Sequence, residues 1–308
     1  MVRFLIAGST GVIGSALVDR LRGEGHEVVR LVRPQTDADA DGIPWNPPDH
    51  LDSSLLGGFD GVVNLAGRSL GQRRWSGDEK RLLWESRADT TRLLAEGIAA
   101  AEPRPRVLVN ASAVGFYGDG GDAVLTEGSP KGEGFLADLV AAWEAATEPA
   151  AAAGIRVAMA RSGIVLSPEG GALGRLLAPF GPKWLSPYRW GLGGVVAGGR
   201  MYWSWISLGD ELAAMRHLLL ESDLGGPVNL VAPRPVTNRE FIKALGRALR
   251  RPTVMPIPGF VLKIVLGGEL ADALVLQGQR AVPTRLEGEG FEFGYTDLDE
   301  AMREALKE

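Results

Sequence analysis

The chain has 308 residues, enough for one large α/β domain or for a nucleotide-binding domain with a smaller second lobe. Its 33 basic and 38 acidic residues are interspersed and leave a formal net charge of -5, so no basic block recommends a nucleic-acid partner. The absence of cysteine excludes disulfides, thiol nucleophiles and zinc-thiolate sites, and no other metal set stands out.

The first apolar run, Met1 to Ala7, is shorter than a secretory h-region, and no uninterrupted apolar stretch approaches about 18 residues; a cytoplasmic protein without a membrane span is expected. Val2 to Ala7 reads as a strand. It runs into Gly8-Ser9-Thr10-Gly11-Val12-Ile13-Gly14, after which Ala16, Leu17 and Leu21 recur at helical spacing. Strand, glycine turn and helix in this order form a dinucleotide cradle: Gly8 permits the turn, Gly11 admits a pyrophosphate, Gly14 lets the helix pack on the sheet, and the helix N-terminus faces the anion. The spacing is G-x-x-G-x-x-G, and three glycines among 42 can fall so by chance; the position directly behind an N-terminal strand supports the reading.

His26 to Val32 is a second strand, ending in Arg33-Pro34. An acidic residue at this strand end binds ribose hydroxyls, whereas an arginine accommodates a 2′-phosphate, so Arg33 points to NADP; the alternative is a solvated loop arginine before a proline. Gln35 to Gly58 is a polar, proline-interrupted connection with a short strand at Ile43 to Trp45 and a short helix around Asp52 to Leu56. Gly61 to Gly67 is the next buried strand, with Asn64, Ala66 and Gly67 bordering the cofactor cleft or, for Asn64, satisfying backbone groups there. A long helix is expected from Asp78 to Ala101, with Arg87 in its middle either solvated or reaching a phosphate.

Arg106 to Ala113 supplies another buried strand and leads into Ser112, Gly115, Tyr117 and Gly118. A serine and a tyrosine at the C-terminal end of a central strand lie where open α/β sheets bind ligands, and both can exchange a proton; the alternative is that Tyr117 packs a glycine turn. Gly134 to Ala153 is helical, with Phe135, Leu139 and Trp143 in one apolar stripe beside Glu144, and Ile155 to Arg161 is the sixth strand. The alternation predicts a doubly wound parallel sheet, a Rossmann α/β fold, with a smaller, mainly C-terminal α/β substrate lobe.

Beyond Leu166 the pattern loosens into Pro, Gly and Trp, with a modest helix around Ala172 to Pro179, and reads as a substrate lid. Helices at Asp210 to Glu221 and Asn238 to Leu249 flank a strand at Val228 to Val231. The expected division is a nucleotide-binding domain over 1–166, to which the chain returns around 200–235, and a substrate lobe from 167–200 and 236–308.

These residues resemble the extended short-chain dehydrogenase/reductase superfamily: AGSTGVIGS, the Arg33 strand end, DGVVNLAG, SAVGFYG and WISLGDE. More narrowly, RRW followed by ESRADTT, then AAWEAA, RSGIVLSPEGGAL, GQRAVP and GFEFGYTDL resemble the "epimerase family protein" group of atypical reductases, over essentially the whole chain. The resemblance implies NADP binding through the glycine loop (Gly8, Ser9, Thr10, Gly11, Val12, Ile13, Gly14), through Val32 and Arg33, through Leu65, Ala66 and Gly67, and through Arg87 and Glu144.

Two positions depart from the resemblance. Extended reductases carry Tyr-x-x-x-Lys, in which lysine lowers the tyrosine pKa; here the matching helix offers Phe135 and Leu139, neither able to move a proton. Ser207 stands where relatives show a histidine. The sequence thus supports an NADP-dependent oxidoreductase or epimerase acting on an unknown small molecule, with Ser112 orienting the oxygen and Tyr117, or else Glu144, handling the proton. The rival is a non-catalytic NADP(H)-binding sensor. Oligomeric state is not readable.

Overall fold

Alternate side chains of the first strand go to different cores, and this organises the molecule. In the computed structural model, which describes residues 1–33, 42–178 and 186–307, β1 (Arg3–Ala7) buries Phe4 and Ile6 on one face and Leu5 and Ala7 on the other. A strand covered on both faces must be apolar at both periods, which is why FLIA carries no polar residue.

The main sheet comprises β1, β2 (Glu27–Val32), β3 (Gly42–Pro44), β4 (Gly61–Asn64), β5 (Val107–Ala113), β6 (Arg156–Ser162) and β7 (Gly226–Leu230). Its order is β3-β2-β1-β4-β5-β6-β7, and every neighbouring pair is parallel. The chain leaves β1 in one direction and resumes at β4 in the other, so the C-terminal ends of β1 and β4 flank the crevice where such sheets take ligands. Helices α1 (Val12–Gly23) and α7 (Leu208–Leu220) cover the Phe4/Ile6 face through Leu17, Leu21, Met215 and Leu218. On the Leu5/Ala7 face lie α3 (Thr90–Ala100), through Leu94 and Ile98, and the short α5 (Glu148–Ala152), through Ala150.

The sheet expected from the sequence is present, with shifts in detail. The expected strand at 43–45 is the edge strand β3, the helix at 52–56 is one 3₁₀ turn at Ser53–Leu55, and the return near Val228 is the outer strand β7. The expected helix over 78–101 is α2 (Gly77–Trp84), a π-helical turn at Glu85–Asp89 and α3. The expected helix over 134–153 breaks into α4 (Phe135–Ala145) and α5, because Pro149 cannot donate to the ladder.

A further apolar core joins Leu166, α6 (Gly171–Leu177), Trp203, Trp205, α8 (Asn238–Leu249) and the C-terminal helix Leu298–Ala305, so the segments after β6 cluster on one another. Pro34 to Asp41 and Pro179 to Leu185, which include the end of the helix expected at 172–179 and part of the expected lid, lie outside the described residues. Among the described residues no helix is long and apolar enough to cross a membrane.

Candidate functional site

The turn after β1 is held by close backbone approaches that only glycine permits. Gly8 has φ +76, and a Cβ there would come within 2.4 Å of the Leu65 carbonyl; a Cβ on Gly14 would come within 2.2 Å of the Gly8 carbonyl oxygen. Gly11 differs: among the described residues an added Cβ meets nothing closer than the Gly8 carbonyl oxygen at 3.5 Å. Its missing side chain therefore leaves room outside the protein, at the N-cap of α1, where no side chain caps the helix and no acidic residue occupies the first turn. Thr10 and Gly11 are exposed, Val12 and Ile13 are half-buried, and Ser9 is buried with no partner for its Oγ among the described residues. An open cradle, unsatisfied amides and an orphaned hydroxyl together fit a phosphate-bearing ligand.

Val32 is buried at the end of β2, and Arg33 behind it is exposed. At the end of β4, Leu65 donates its N–H to the Ala7 carbonyl at 2.9 Å, Ala66 is buried and Gly67 is exposed. Asn64 is wholly buried; it donates to Thr91 Oγ1 at 2.8 Å and Asn110 Oδ1 at 2.7 Å and accepts from the Ala66 N–H at 3.2 Å. It thus fixes the β4 turn from behind.

Arg87 lies in the π-helical turn, a local widening that recurs at functional sites. Its guanidinium is buried, donates to the Arg68 carbonyl at 2.8 Å and lies 5.1 Å from the Trp143 ring centroid, with no carboxylate partner among the described residues. Burial pushes its pKa down to about 10. A Cβ on Gly67 would stand 3.4 Å from Arg87 Cζ, so this charge sits against the open end of β4. A buried cation without an acidic partner is costly unless an anionic ligand compensates it.

The polar residues at the ends of β5 and β6 form one network. Ser112 Oγ donates to Glu144 Oε1 at 2.6 Å, and Arg161 grips the same carboxylate through Nε at 2.7 Å and Nη2 at 2.8 Å. Arg161 Nη1 also donates to the Tyr117 hydroxyl at 3.0 Å, which donates to Asn229 Oδ1 at 2.7 Å. Arg161 lies 3.6 Å from the Phe116 centroid, and the whole group is buried apart from Phe116. Burial works against the Arg161 charge, but Glu144 outweighs it and the pKa rises. Burial also raises the Tyr117 pKa, against the lowering effect of Arg161.

Both expected proton carriers lie in this network. Tyr117 does not present its hydroxyl to a cleft: it is buried, and its acceptor and donor are both engaged. Glu144 directs its carboxylate at Ser112 and Arg161. On α4 Leu139 is fully buried and Phe135 packs edge-on against Trp75 with centroids 5.0 Å apart. Leu136 is the residue nearest Gly115, where an added Cβ would come within 2.8 Å of it.

Arg161 and Asn229 were missed by the sequence reading. The signal was a polar side chain inside the apolar runs IRVAMAR and VNLV, since such residues persist in buried strands when paired. Ser207 is the N-cap of α7; its Oγ accepts from the Asp210 N–H at 2.9 Å and donates to Asp210 Oδ2 at 2.8 Å. Asp210 in turn accepts from the Gly294 and Tyr295 N–H groups at 2.7 and 3.1 Å, so Ser207 serves to anchor the C-terminal segment.

The parallel sheet and its open glycine turn define a dinucleotide-fold protein. Residues 4–230 match the NAD dependent epimerase/dehydratase family, and residues 257–305 match a domain of unknown function, DUF1731. The chain belongs to the NAD dependent epimerase/dehydratase family. Within it, the chain is 46% identical over 298 residues to epimerase family protein ML0860 of Mycobacterium leprae, covering 96% of this chain and 93% of that protein. The crystal structure of human epimerase family protein SDR39U1 (isoform 2) with NADPH matches at 34% identity and TM-score 0.88, covering 99% of both chains. A nucleoside-diphosphate sugar epimerase from Corynebacterium glutamicum matches at 35% identity and TM-score 0.80, covering 99% of this chain and 58% of that one.

Proposed function

We propose that the protein binds NADP(H) across the glycine turn and catalyses hydride transfer at a carbinol or carbonyl carbon of a small molecule. The human relative crystallised with NADPH supports the cofactor, as does Arg33 at the end of β2. Thr10, Gly11 and the α1 N-terminus would hold the pyrophosphate, and Arg87 would supply a buried positive charge beside Gly67. When bound, the nicotinamide accepts or supplies the hydride.

The observation that carries the reaction is the Ser112–Glu144 hydrogen bond at the C-terminal end of β5. Because Ser112 donates its proton to Glu144, its oxygen lone pairs are available to a substrate hydroxyl. In the oxidative direction the alcohol proton passes to Ser112 while the serine proton passes to the carboxylate; reduction returns both. Arg161 holds that carboxylate in place.

Purified protein incubated with NADPH and a panel of aldehydes, ketones and sugar nucleotides, followed at the nicotinamide absorbance band, tests this reading. Cofactor oxidation with one substrate class supports it. A second reading is favoured by the closure of Tyr117, Glu144 and Arg161 on one another and by the apolar α4 residues: a protein that binds NADP(H) and signals its presence. Tight NADPH binding with no turnover across the panel would favour that reading.

A further inference from the structure

A cavity of about 400 Å³ adjoins the turn that follows Ser112, with Gly115 and Gly118 in its wall. Trp75 and Phe135 line it as an edge-to-face pair with ring planes 69° apart, and Leu136 adds to the apolar side. The C-terminal segment adds a charged and polar wall through Lys263, Glu269, Asp272, Gln277 and Gln279, while Glu133 stands just before α4.

The charges on this wall offer an anion no free ammonium group. Lys263 Nζ is paired with Asp272 at 2.8 Å, and Lys80, whose Nζ lies 5.0 Å from the Phe135 centroid, is paired with Glu269 at 2.7 Å. Glu133 has no cation partner among the described residues. A phosphate or carboxylate entering here meets carboxylates whose neighbouring ammonium groups are already engaged, and like charges at contact distance repel even in water. A pyrophosphate recognised by protein is normally met by free arginine forks or by open helix amides.

Next to the charged wall the surface is apolar. α9 (Gly259–Leu266), the helix that supplies Lys263, buries none of its residues and leaves Phe260 65% and Ile264 67% exposed. Trp75, Phe135 and Leu136 offer contacts to an aromatic or aliphatic body, and Gln277 and Gln279 add amide groups that suit hydroxyl or carbonyl oxygens.

We propose that this cavity takes a non-anionic, largely apolar carbonyl compound or alcohol, not a nucleoside diphosphate sugar. The proposal rests on the hydride-transfer reading for its chemistry but not for its binding preference. The test uses the full chain loaded with NADPH and three probes: 4-isopropylbenzaldehyde, 4-carboxybenzaldehyde and UDP-glucose. Calorimetry reads binding, and cofactor absorbance reads turnover in the same samples.

The neutral aldehyde is expected to bind at least about 10-fold more tightly than either anion. The double variant Glu269→Gln, Asp272→Asn frees both lysines and should narrow the gap to 4-carboxybenzaldehyde to less than about 3-fold. Both positions are surface-exposed, with side chains 46% and 40% accessible, so the fold tolerates the changes. Equal or tighter binding of UDP-glucose or the carboxylate, failure of the neutral aldehyde to bind, or an unchanged gap in the variant would overturn the proposal. Preferential binding of the neutral aldehyde without NADPH consumption would uphold the cavity's selectivity and count against hydride transfer.

Discussion

Ser112 at the end of β5 and Glu144 on α4 share a hydrogen bond of 2.6 Å, and Arg161 closes on the same carboxylate from β6. Position on the sheet gives this pair its meaning, since β5 neighbours β4, whose C-terminal end faces the glycine turn. A serine donating to an anchored carboxylate is a competent proton relay only if a substrate oxygen reaches it.

Ser112→Ala and Glu144→Gln should each slow NADPH-linked turnover by at least about 100-fold, the scale of losing a positioned acid–base group. NADPH affinity should stay within a few-fold of wild type. Steady-state kinetics beside a calorimetric titration separates the two effects; unchanged turnover in Ser112→Ala would remove the relay.

Tyr117→Phe should behave differently. Turnover should remain within a few-fold of wild type, while stability falls by roughly 1 to 3 kcal/mol because Asn229 and Arg161 each lose a buried hydrogen-bond partner. Denaturant unfolding and the same kinetic assay check this. A 100-fold loss of turnover at unchanged stability would restore Tyr117 as the acid.

Cofactor choice rests on Arg33, exposed at the end of β2. Arg33→Ala should weaken NADPH by roughly 1.5 to 3 kcal/mol, the scale of a hydrogen bond to a charged group, and leave NADH nearly unchanged. Parallel fluorescence titrations decide it, and an equal loss for both cofactors would make the arginine structural.

Glu211 gives a pH signature. It is wholly buried in the first turn of α7, accepts from Ser162 Oγ at 2.6 Å, and burial pushes its pKa up to about 8. Between the ordinary value of 4.5 and about 8 the folded state keeps a proton that the unfolded state has released, so this group lowers stability as pH rises through that window. Glu211→Gln should match wild type near pH 5 and melt at a higher temperature near pH 8. Identical melting curves against pH for the two proteins would contradict the buried, protonated carboxyl.

The sheet was legible because its signals are local: apolar runs of strand length, glycine turns and intervening helical periods. The glycine turn was legible for the same reason. The π-helical turn at Glu85–Asp89 was not, since ESRADTT has ordinary helical character and the extra residue in the turn is set by what packs around it. The Arg161–Glu144 pair joins a strand to a helix 17 residues earlier, a contact no spacing rule encodes. Ser207 was read against a relative's histidine, although Ser-x-x-Asp before a helix is itself a capping pattern, and the structure uses it so.

Cofactor binding at the glycine turn requires the pyrophosphate to lie over Gly11. Among the described residues a Cβ at Gly11 meets no atom closer than 3.5 Å, and the residue's φ of -76 suits any side chain, so Gly11→Val should fold normally. Its branches would fill the space left for the pyrophosphate. Calorimetric titration of NADPH into wild type and Gly11→Val, with circular dichroism confirming the fold, should show binding in the first and none in the second. Equal NADPH affinity in a folded Gly11→Val protein would place the pyrophosphate elsewhere and contradict the account.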